Sequence, residues 1–224
     1  MGRLRIDLTM PTIPVPINNQ HYLNGFIHES FGVNNPYHDK FSDYSISSLQ
    51  GGRLNDDRHT LNFDTESPHF FISSDNEEFL MFAVQSFIVT KASMFGMKFH
   101  TIGVFDDFKL NKYYDDVITI SPIIVKNKEG KKITIEDEDF IYYLTENCKK
   151  KLLHKEIVDP TLKIEIINPH KAKSKCVWVG NVFNPCSMVR LRIYGTKQTR
   201  SILYNMGLGG STGSGFGAIK MYSK

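Results

Sequence analysis

The sequence predicts an α+β fold built from two ferredoxin-like domains in tandem. Strand-like and helix-like apolar patterns alternate along the chain in the order βαββαβ, and the same order returns in the second half. The length of 224 residues suits two domains of about 110 residues each. The two halves share this order of elements and have no convincing sequence identity with each other.

The first predicted domain comprises residues 1–108. Apolar residues at three- and four-residue spacing predict its first helix, and Ser74 with Glu77 forms a capping box in front of its second helix. In chain order, the predicted elements are a strand at 3–10, a helix at 22–31, extended segments near 43–49, 60–64 and 70–73, a helix after 77, and a strand near 97–104.

The second predicted domain comprises residues 109–224, and residues 105–116, with four aspartates and two lysines, are predicted to be a linker. Thr196 is expected to cap the last helix and Gly207 to end it. In chain order, we predict a strand at 117–126, a turn at 127–130, a helix at 136–153, strands at 162–167, 176–183 and 188–194, a helix at 196–206, and a strand at 218–222.

Charge is distributed unevenly between the two halves. Residues 1–108 carry 7 Lys+Arg and 13 Asp+Glu, a balance of −6, whereas residues 109–224 carry 20 and 11, a balance of +9. A basic half is expected where a protein binds a polyanion. Ordinary solvated lysines are the alternative explanation.

Composition argues against several other classes of protein. The longest apolar run is the six residues 79–84, far below the roughly 20 that a membrane helix needs. The three cysteines include no Cys-x-x-Cys pair, so the sequence predicts neither a disulfide framework nor a zinc knuckle. We therefore expect a cytoplasmic protein without a membrane partner, a metal site or a cofactor.

The predicted strand at 188–194 alternates in character. Val189, Leu191 and Ile193 share one face, and Arg190, Arg192 and Tyr194 share the other. Because a ferredoxin-like sheet is covered by helices on one face only, the arginine face is a candidate RNA-binding surface, like that of the RRM. A solvated sheet face is the alternative.

Residues 207–217 form a glycine-rich segment in which six of eleven residues are glycine. Backbone without Cβ atoms can approach a phosphate closely, so these glycines are candidate RNA-binding residues. We do not expect a dinucleotide site, because only six residues follow Ala218, and we do not expect a Walker A loop, because Phe216 and Gly217 stand where Lys-Ser/Thr is needed. A flexible hairpin loop is the alternative; the glycines are Gly207, Gly209, Gly210, Gly213, Gly215 and Gly217.

A helix followed by this segment and a short last strand resembles the C-terminal signature of the repeat-associated RNA-binding (RAMP) superfamily of CRISPR systems. Within that superfamily, residues 192–195 and 215–221 are similar to the endoribonuclease that processes precursor crRNA. Residues 15–27, Val-Pro-Ile-Asn-Asn-Gln-His-Tyr-Leu-Asn-Gly-Phe-Ile, are similar to the opening-helix motif of the same family.

The resemblance implies an endoribonuclease that cleaves CRISPR repeat RNA by attack of the substrate's own 2′-hydroxyl, without a metal. It points to His38, in the loop after the opening helix, as a catalytic residue. His28 lies where several members carry a catalytic tyrosine, and its position off the apolar arc agrees with an acid or base role. Lys40 is the candidate for the family's lysine, although Ser42 or Asp43 stands nearer to the family position.

Other lysines have different expected roles. Lys171, Lys173 and Lys175 lie between two predicted strands and are candidates for phosphate contacts. Lys149, Lys150 and Lys151 are interpreted as a solvated last helical turn that complements the helix dipole.

Two alternatives remain open at this point. The first is a non-catalytic RAMP subunit that binds guide RNA, and the second is a metal-dependent nuclease that uses Asp56 and Asp57. The expected partner is precursor crRNA, and association with other CRISPR effector subunits or as a homodimer is left open.

Overall fold

A computed structural model of the chain describes residues 2–38, 40–105 and 110–222. The first half contains eight strands and two helices: β1 (Gly2–Leu8), β2 (Val15–Pro16), α1 (Gln20–Phe31), β3 (Tyr44–Ile46), β4 (Arg53–Leu54), β5 (Thr60–Asn62), β6 (His69–Ser74), α2 (Glu77–Val89), β7 (Ser93–Met94) and β8 (Met97–Val104).

The second half has the same plan with two inserted hairpins. Its elements are β9 (Tyr114–Thr119), β10 (Val125–Lys126), β11 (Lys132–Ile133), α3 (Phe140–Leu153), β12 (Lys163–Ile166), β13 (Lys173–Val179), β14 (Val182–Met188), β15 (Arg190–Tyr194), α4 (Lys197–Met206) and β16 (Ile219–Met221).

The sheet orders confirm the predicted fold class. The larger sheet of the first half has the order β3-β6-β1-β8-β7, and that of the second half has the order β12-β15-β9-β16. In both halves the first strand therefore lies between the third and the fourth strands of a βαββαβ unit, and the pairings of these strands are antiparallel. The protein consists of tandem ferredoxin-like folds.

Each sheet buries one face against its two helices. Leu23, Phe26, Ile27 and Phe31 are the buried apolar residues of α1, and their spacing is the helical period that the sequence shows. The ring of Phe26 stacks on that of Phe87 from α2, at 6.1 Å between centroids. This apolar arc fixes which face of α1 points towards solvent.

Several details of the predicted secondary structure are wrong. The strand predicted at 117–126 is interrupted after Thr119, and its end forms the separate strand β10. Helix α2 is capped by Asn76, whose side chain accepts a hydrogen bond from the amide of Phe79, and Ser74 instead ends β6. The single strand predicted at 176–183 is a hairpin, because Gly180 has a φ of 56° and turns β13 into β14. Strand β9 begins at Tyr114, inside the predicted linker.

Along the sequence, all strands of the first larger sheet precede residue 106, and all strands of the second follow residue 109. The predicted domain boundary, between residues 108 and 109, falls outside the described residues. The division into domains at 1–108 and 109–224 therefore stays a prediction.

The glycine-rich segment forms much of the contact between the halves. The hydroxyl of Thr212 donates to the carbonyl of Tyr44 in β3, 2.9 Å away. The carbonyl of Ser214 accepts from the side-chain amide of Asn24 at 3.1 Å and from that of Gln20 at 3.3 Å, and both residues belong to α1. This segment therefore connects the second half to the opening helix of the first.

A buried arginine completes this contact. The side chain of Arg3 is almost fully buried, donates to the hydroxyl of Ser73 at 2.7 Å and donates to the carbonyl of Ile219 at 2.6 Å. Its guanidinium also lies 4.2 Å from the centre of the Tyr204 ring. An arginine of β1 thus binds both β6 in its own half and β16 in the other.

Two glycines of the segment provide a matched test of this packing. Gly217 has a φ of 68°, and a Cβ added there would overlap the carbonyl oxygen of Leu208, whereas the nearest atom to a Cβ at Gly210 is 3.8 Å away. A positive φ costs a side chain about 1–3 kcal/mol before any overlap is counted. We expect Gly217→Ala to lower the free energy of unfolding by at least about 2 kcal/mol and Gly210→Ala to change it little.

Urea unfolding of both variants measures this difference. Equal stability of Gly210→Ala and Gly217→Ala would contradict the description of residues 207–217 as a tightly packed contact.

Candidate active site and nucleic-acid interface

Two of the eight histidines lie side by side on the surface. His28 is in the last turn of α1, His38 is in the loop that follows, and their ring centroids are 5.7 Å apart. Both side chains are exposed. The structure therefore brings together the two histidines that the sequence indicates as candidate catalytic residues.

The backbone explains how the two residues meet. Gly32, with a φ of 75°, ends α1, and its amide donates to the carbonyls of His28 and Glu29. The chain then turns at Asn35, whose carbonyl accepts from the amide of His38 at 3.2 Å. The loop thereby returns to the side of α1 that its apolar arc leaves exposed.

His28 also borders the glycine-rich segment. It lines a narrow crevice together with Asn24, Asn35, Tyr44 and Gly213. Buried apolar residues of α1 and β3 complete the lining of this crevice. The histidine pair thus stands at the edge of the contact between the two halves.

The side chain of Lys40 is directed towards Tyr37. Its ammonium is 6.0 Å from the centre of the Tyr37 ring. Asp43, three residues after Lys40, pairs with Lys155 at 3.2 Å. A catalytic role of Lys40 stays a prediction.

Most of the predicted RNA-binding glycines lie close to other atoms of the protein. An added Cβ would lie less than 3.0 Å from protein atoms at Gly207, Gly209, Gly213, Gly215 and Gly217. At Gly215 the opposing atoms belong to the side chain of Gln20 in α1, whereas Gly210 is open. Packing thus accounts for five of the six glycines, and RNA binding by them stays a prediction.

The arginine face of the second sheet has the predicted alternation, but its side chains already have partners. Arg192 forms two hydrogen bonds to the carboxylate of Asp116, at 2.7 and 2.9 Å, and lies over the ring of Tyr114. Arg190 donates to the hydroxyl of Tyr222 at 2.9 Å. The charge of Arg192 is therefore partly neutralised within the protein, and contact of the two arginines with RNA stays a prediction.

A cleft of about 530 Å³ runs between the halves. Lys175 and Lys220 line it from the second half, and residues 17–20 and 48–50, most of which are polar, line it from the first. Lys171 and Lys173 are exposed on the same insertion but are not part of this lining. Of the three predicted phosphate-binding lysines, Lys175 is the one that faces the cleft.

Lys151 is a residue whose role the sequence did not reveal. The charge run at 149–151 predicts a solvated helical turn, but Lys151 is buried and donates to the carbonyls of Met206 and Gly207 and to the hydroxyl of Thr212. It therefore complements the C-terminal carbonyls of α4, not those of its own helix. Three consecutive lysines at the end of a helix give no local signal that one of them is buried, so the sequence hides this role.

Asp57, one of the two aspartates of the metal-dependent nuclease alternative, has a structural role. The carboxylate of Asp57 accepts hydrogen bonds from the amides of His59 and Thr60 and from the hydroxyl of Thr60, and these bonds hold the turn between β4 and β5. Those bonds lower the pKa of Asp57, the Thr60 hydroxyl contributing most. Within residues 2–38, 40–105 and 110–222, no cluster of three or more His, Cys, Asp or Glu residues is arranged to hold a metal ion.

The helices of the described residues include none that is long and apolar enough to cross a membrane.

Comparisons of the sequence and of the fold with known proteins both find CRISPR-associated proteins. The family described as "CRISPR associated protein Cas6, C-terminal" matches residues 108–221, slightly more than half of the chain. No curated protein matches the sequence.

Three solved structures illustrate the similarity of the fold. One titled "An RAMP protein binding different RNA substrates" has a TM-score of 0.85 and 20% identity, with 100% of each chain covered. One titled "CRISPR associated protein Cas6" has a TM-score of 0.80 and 21% identity, with 99% of each chain covered.

The third, titled "Characterization of a Cas6-related gene from Pyrococcus furiosus", has a TM-score of 0.79 and 20% identity, and the match covers 100% of this chain and 99% of that one. At these identities the likeness shows a shared fold, and the family match to residues 108–221 supplies the assignment. The chain belongs to the Cas6 family of CRISPR-associated proteins.

Proposed function

We propose that this protein is a sequence-specific endoribonuclease that cleaves CRISPR repeat RNA within precursor crRNA. Family membership supports a role in processing or binding CRISPR RNA. The observation that carries the catalytic part of the proposal is the exposed pair of His28 and His38, whose ring centroids are 5.7 Å apart.

Two imidazoles can supply the proton transfers that this reaction needs. The 2′-oxygen of the ribose attacks the adjacent phosphorus while a general base removes its proton, and the bond from phosphorus to the 5′-oxygen breaks while a general acid protonates that oxygen. The products are a 2′,3′-cyclic phosphate and a 5′-hydroxyl. The proton balance closes without a water molecule or a metal-bound hydroxide.

The geometry limits where the scissile phosphate binds. The two rings are already within the contact range of aromatic pairs, so a phosphate approaches them from their shared solvent side and not from between them. Histidine suits both roles because its charge changes near neutral pH. Lys40 on the same loop is the candidate for stabilising the charge of the phosphorane.

Binding without cleavage is the second candidate function. One structural neighbour is titled as an RAMP protein that binds different RNA substrates, and the lysine-lined cleft between the halves suits a single RNA strand without any chemistry. Under this alternative His28 and His38 contribute to RNA affinity at most.

Substitution of the two histidines separates the candidate functions. We expect His38→Ala to lower the single-turnover rate of repeat-RNA cleavage by roughly 10²–10⁴-fold in EDTA, the usual contribution of a positioned acid or base. His28→Ala should have a similar effect, and the double variant should be little worse than either alone because the two residues act as one unit.

The control is His100→Ala, which removes an exposed histidine on β8 of the same half and should leave the rate unchanged. All variants should bind repeat RNA within a few-fold of the wild-type protein. Full activity in the double variant would reject the histidine mechanism, and a wild-type protein that binds but never cuts would favour binding alone.

A further inference from the structure

A further cavity borders residues 209–212 of the glycine-rich segment, next to Gly213, which lines the histidine crevice. Its volume is about 450 Å³. It is bounded by the turn between β10 and β11, the last turns of α3, the backbone of residues 209–212, and Phe41 and Ser42 from the loop after His38. We refer to this cavity as the lysine pocket.

The lining of the lysine pocket has a single sign of charge. It includes Lys126, Lys128, Lys150, Lys151 and His154, and no aspartate or glutamate of the described residues belongs to it. Glu129, in the same turn as Lys128, lies outside the lining. Four lysines, two from the β10–β11 hairpin and two from α3, that converge on one cavity without a carboxylate attract an anion.

Three of these lysines have their ammonium groups available. Among the described residues, no carboxylate lies within ion-pair distance of Lys126, Lys128 or Lys150. The neighbouring Lys149, which is outside the pocket, is paired with Glu146 at 2.7 Å. The pocket therefore differs from the adjacent surface of α3, where the lysine charge is balanced.

The fourth lysine holds the floor of the pocket in place. Lys151 has three acceptors, the carbonyls of Met206 and Gly207 and the hydroxyl of Thr212, which match the three N–H donors of an ammonium group. Burial lowers its pKa to about 8. Through its three hydrogen bonds it joins the C-terminal end of α4 to Thr212, a residue of the pocket lining.

The pocket and the histidine pair share one continuous surface. Phe41, three residues after His38, stacks on the ring of His154 with their centroids 3.9 Å apart. The turn at Thr212–Ser214 separates the pocket from the crevice that His28 lines. The two sites therefore border the same turn, with Thr212 lining the pocket and Gly213 lining the crevice.

We propose that the lysine pocket binds a backbone phosphate of the RNA strand close to the phosphate held by His28 and His38. This inference rests on the proposed function, because it names a second subsite for the same RNA. Flexible lysines bind phosphate as point charges and do not read a base. The pocket accordingly contributes affinity and register, and it contributes no sequence preference of its own.

The test compares two double variants that remove equal charge from the same two elements. Lys128→Gln with Lys150→Gln alters the pocket, whereas Lys131→Gln with Lys149→Gln alters the neighbouring lysines of the β10–β11 turn and α3 outside the lining. The ligand is repeat RNA with a 2′-deoxy nucleotide at the cleavage site, so that binding is measured without chemistry. Affinity is measured across a salt range of about 50 to 200 mM, over which phosphate binding weakens steeply.

We expect the pocket variant to bind the RNA more weakly, most clearly at low salt. Its slope of log affinity against log salt should be smaller in magnitude by roughly 1 for each phosphate that it no longer neutralises. The control variant should keep the wild-type slope, and both should keep the wild-type melting temperature because these side chains are exposed. Equal slopes in the two double variants would overturn the lysine pocket while leaving the histidine site intact. A wild-type protein that does not bind the RNA would reject the proposed function together with this inference.

Discussion

The rest of the molecule depends on the contact that residues 207–217 of the second half make with the first half. The chain of this segment runs so close to α1, to β3, to residues 123 and 124 and to its own carbonyl groups that five of its six glycines leave no space for a Cβ. The amide of Gly217 donates to the carbonyl of Pro122, and that of Gly210 donates to the carbonyl of Ile124, both at 2.8 Å. At Gly209 and Gly217 glycine is required because the nearest opposing atoms are the backbone oxygens of Ile124 and Leu208.

The histidine pair depends on this contact through α1. Asn24, one turn before His28, is buried and donates to the carbonyl of Ser214, so the glycine-rich segment fixes the position of the helix at the level of the crevice. The short turn at Thr212–Ser214 separates the crevice from the lysine pocket. Substitutions that loosen the segment are therefore expected to affect stability and both subsites together.

The fold and the two candidate histidines could be predicted from the sequence because both depend on patterns among residues that are close together in the chain. Periodicity places Phe26 and Phe31 inside and His28 outside, and motif similarity indicates His38 in the following loop. The partners of Arg192 and Lys151 could not be predicted, because Asp116 lies 76 positions from Arg192 and the carbonyls of α4 lie more than 50 positions from Lys151. Distance along the chain also hides the packing of the glycine-rich segment, since the partner of Gly215 is Gln20, at the other end of the chain.

The central claim of the proposed function is that the substrate's own 2′-hydroxyl is the nucleophile, that one histidine removes its proton and that the other protonates the departing 5′-oxygen. A single 2′-deoxy substitution on the 5′ side of the scissile phosphate tests this most directly, with cleavage and binding measured on the same RNA in EDTA. We predict that the cut disappears while affinity stays nearly unchanged, because the substitution removes one oxygen among many groups that bind the protein, and that the unmodified RNA yields a 2′,3′-cyclic phosphate. Cleavage of the 2′-deoxy RNA at the same position would contradict the claim.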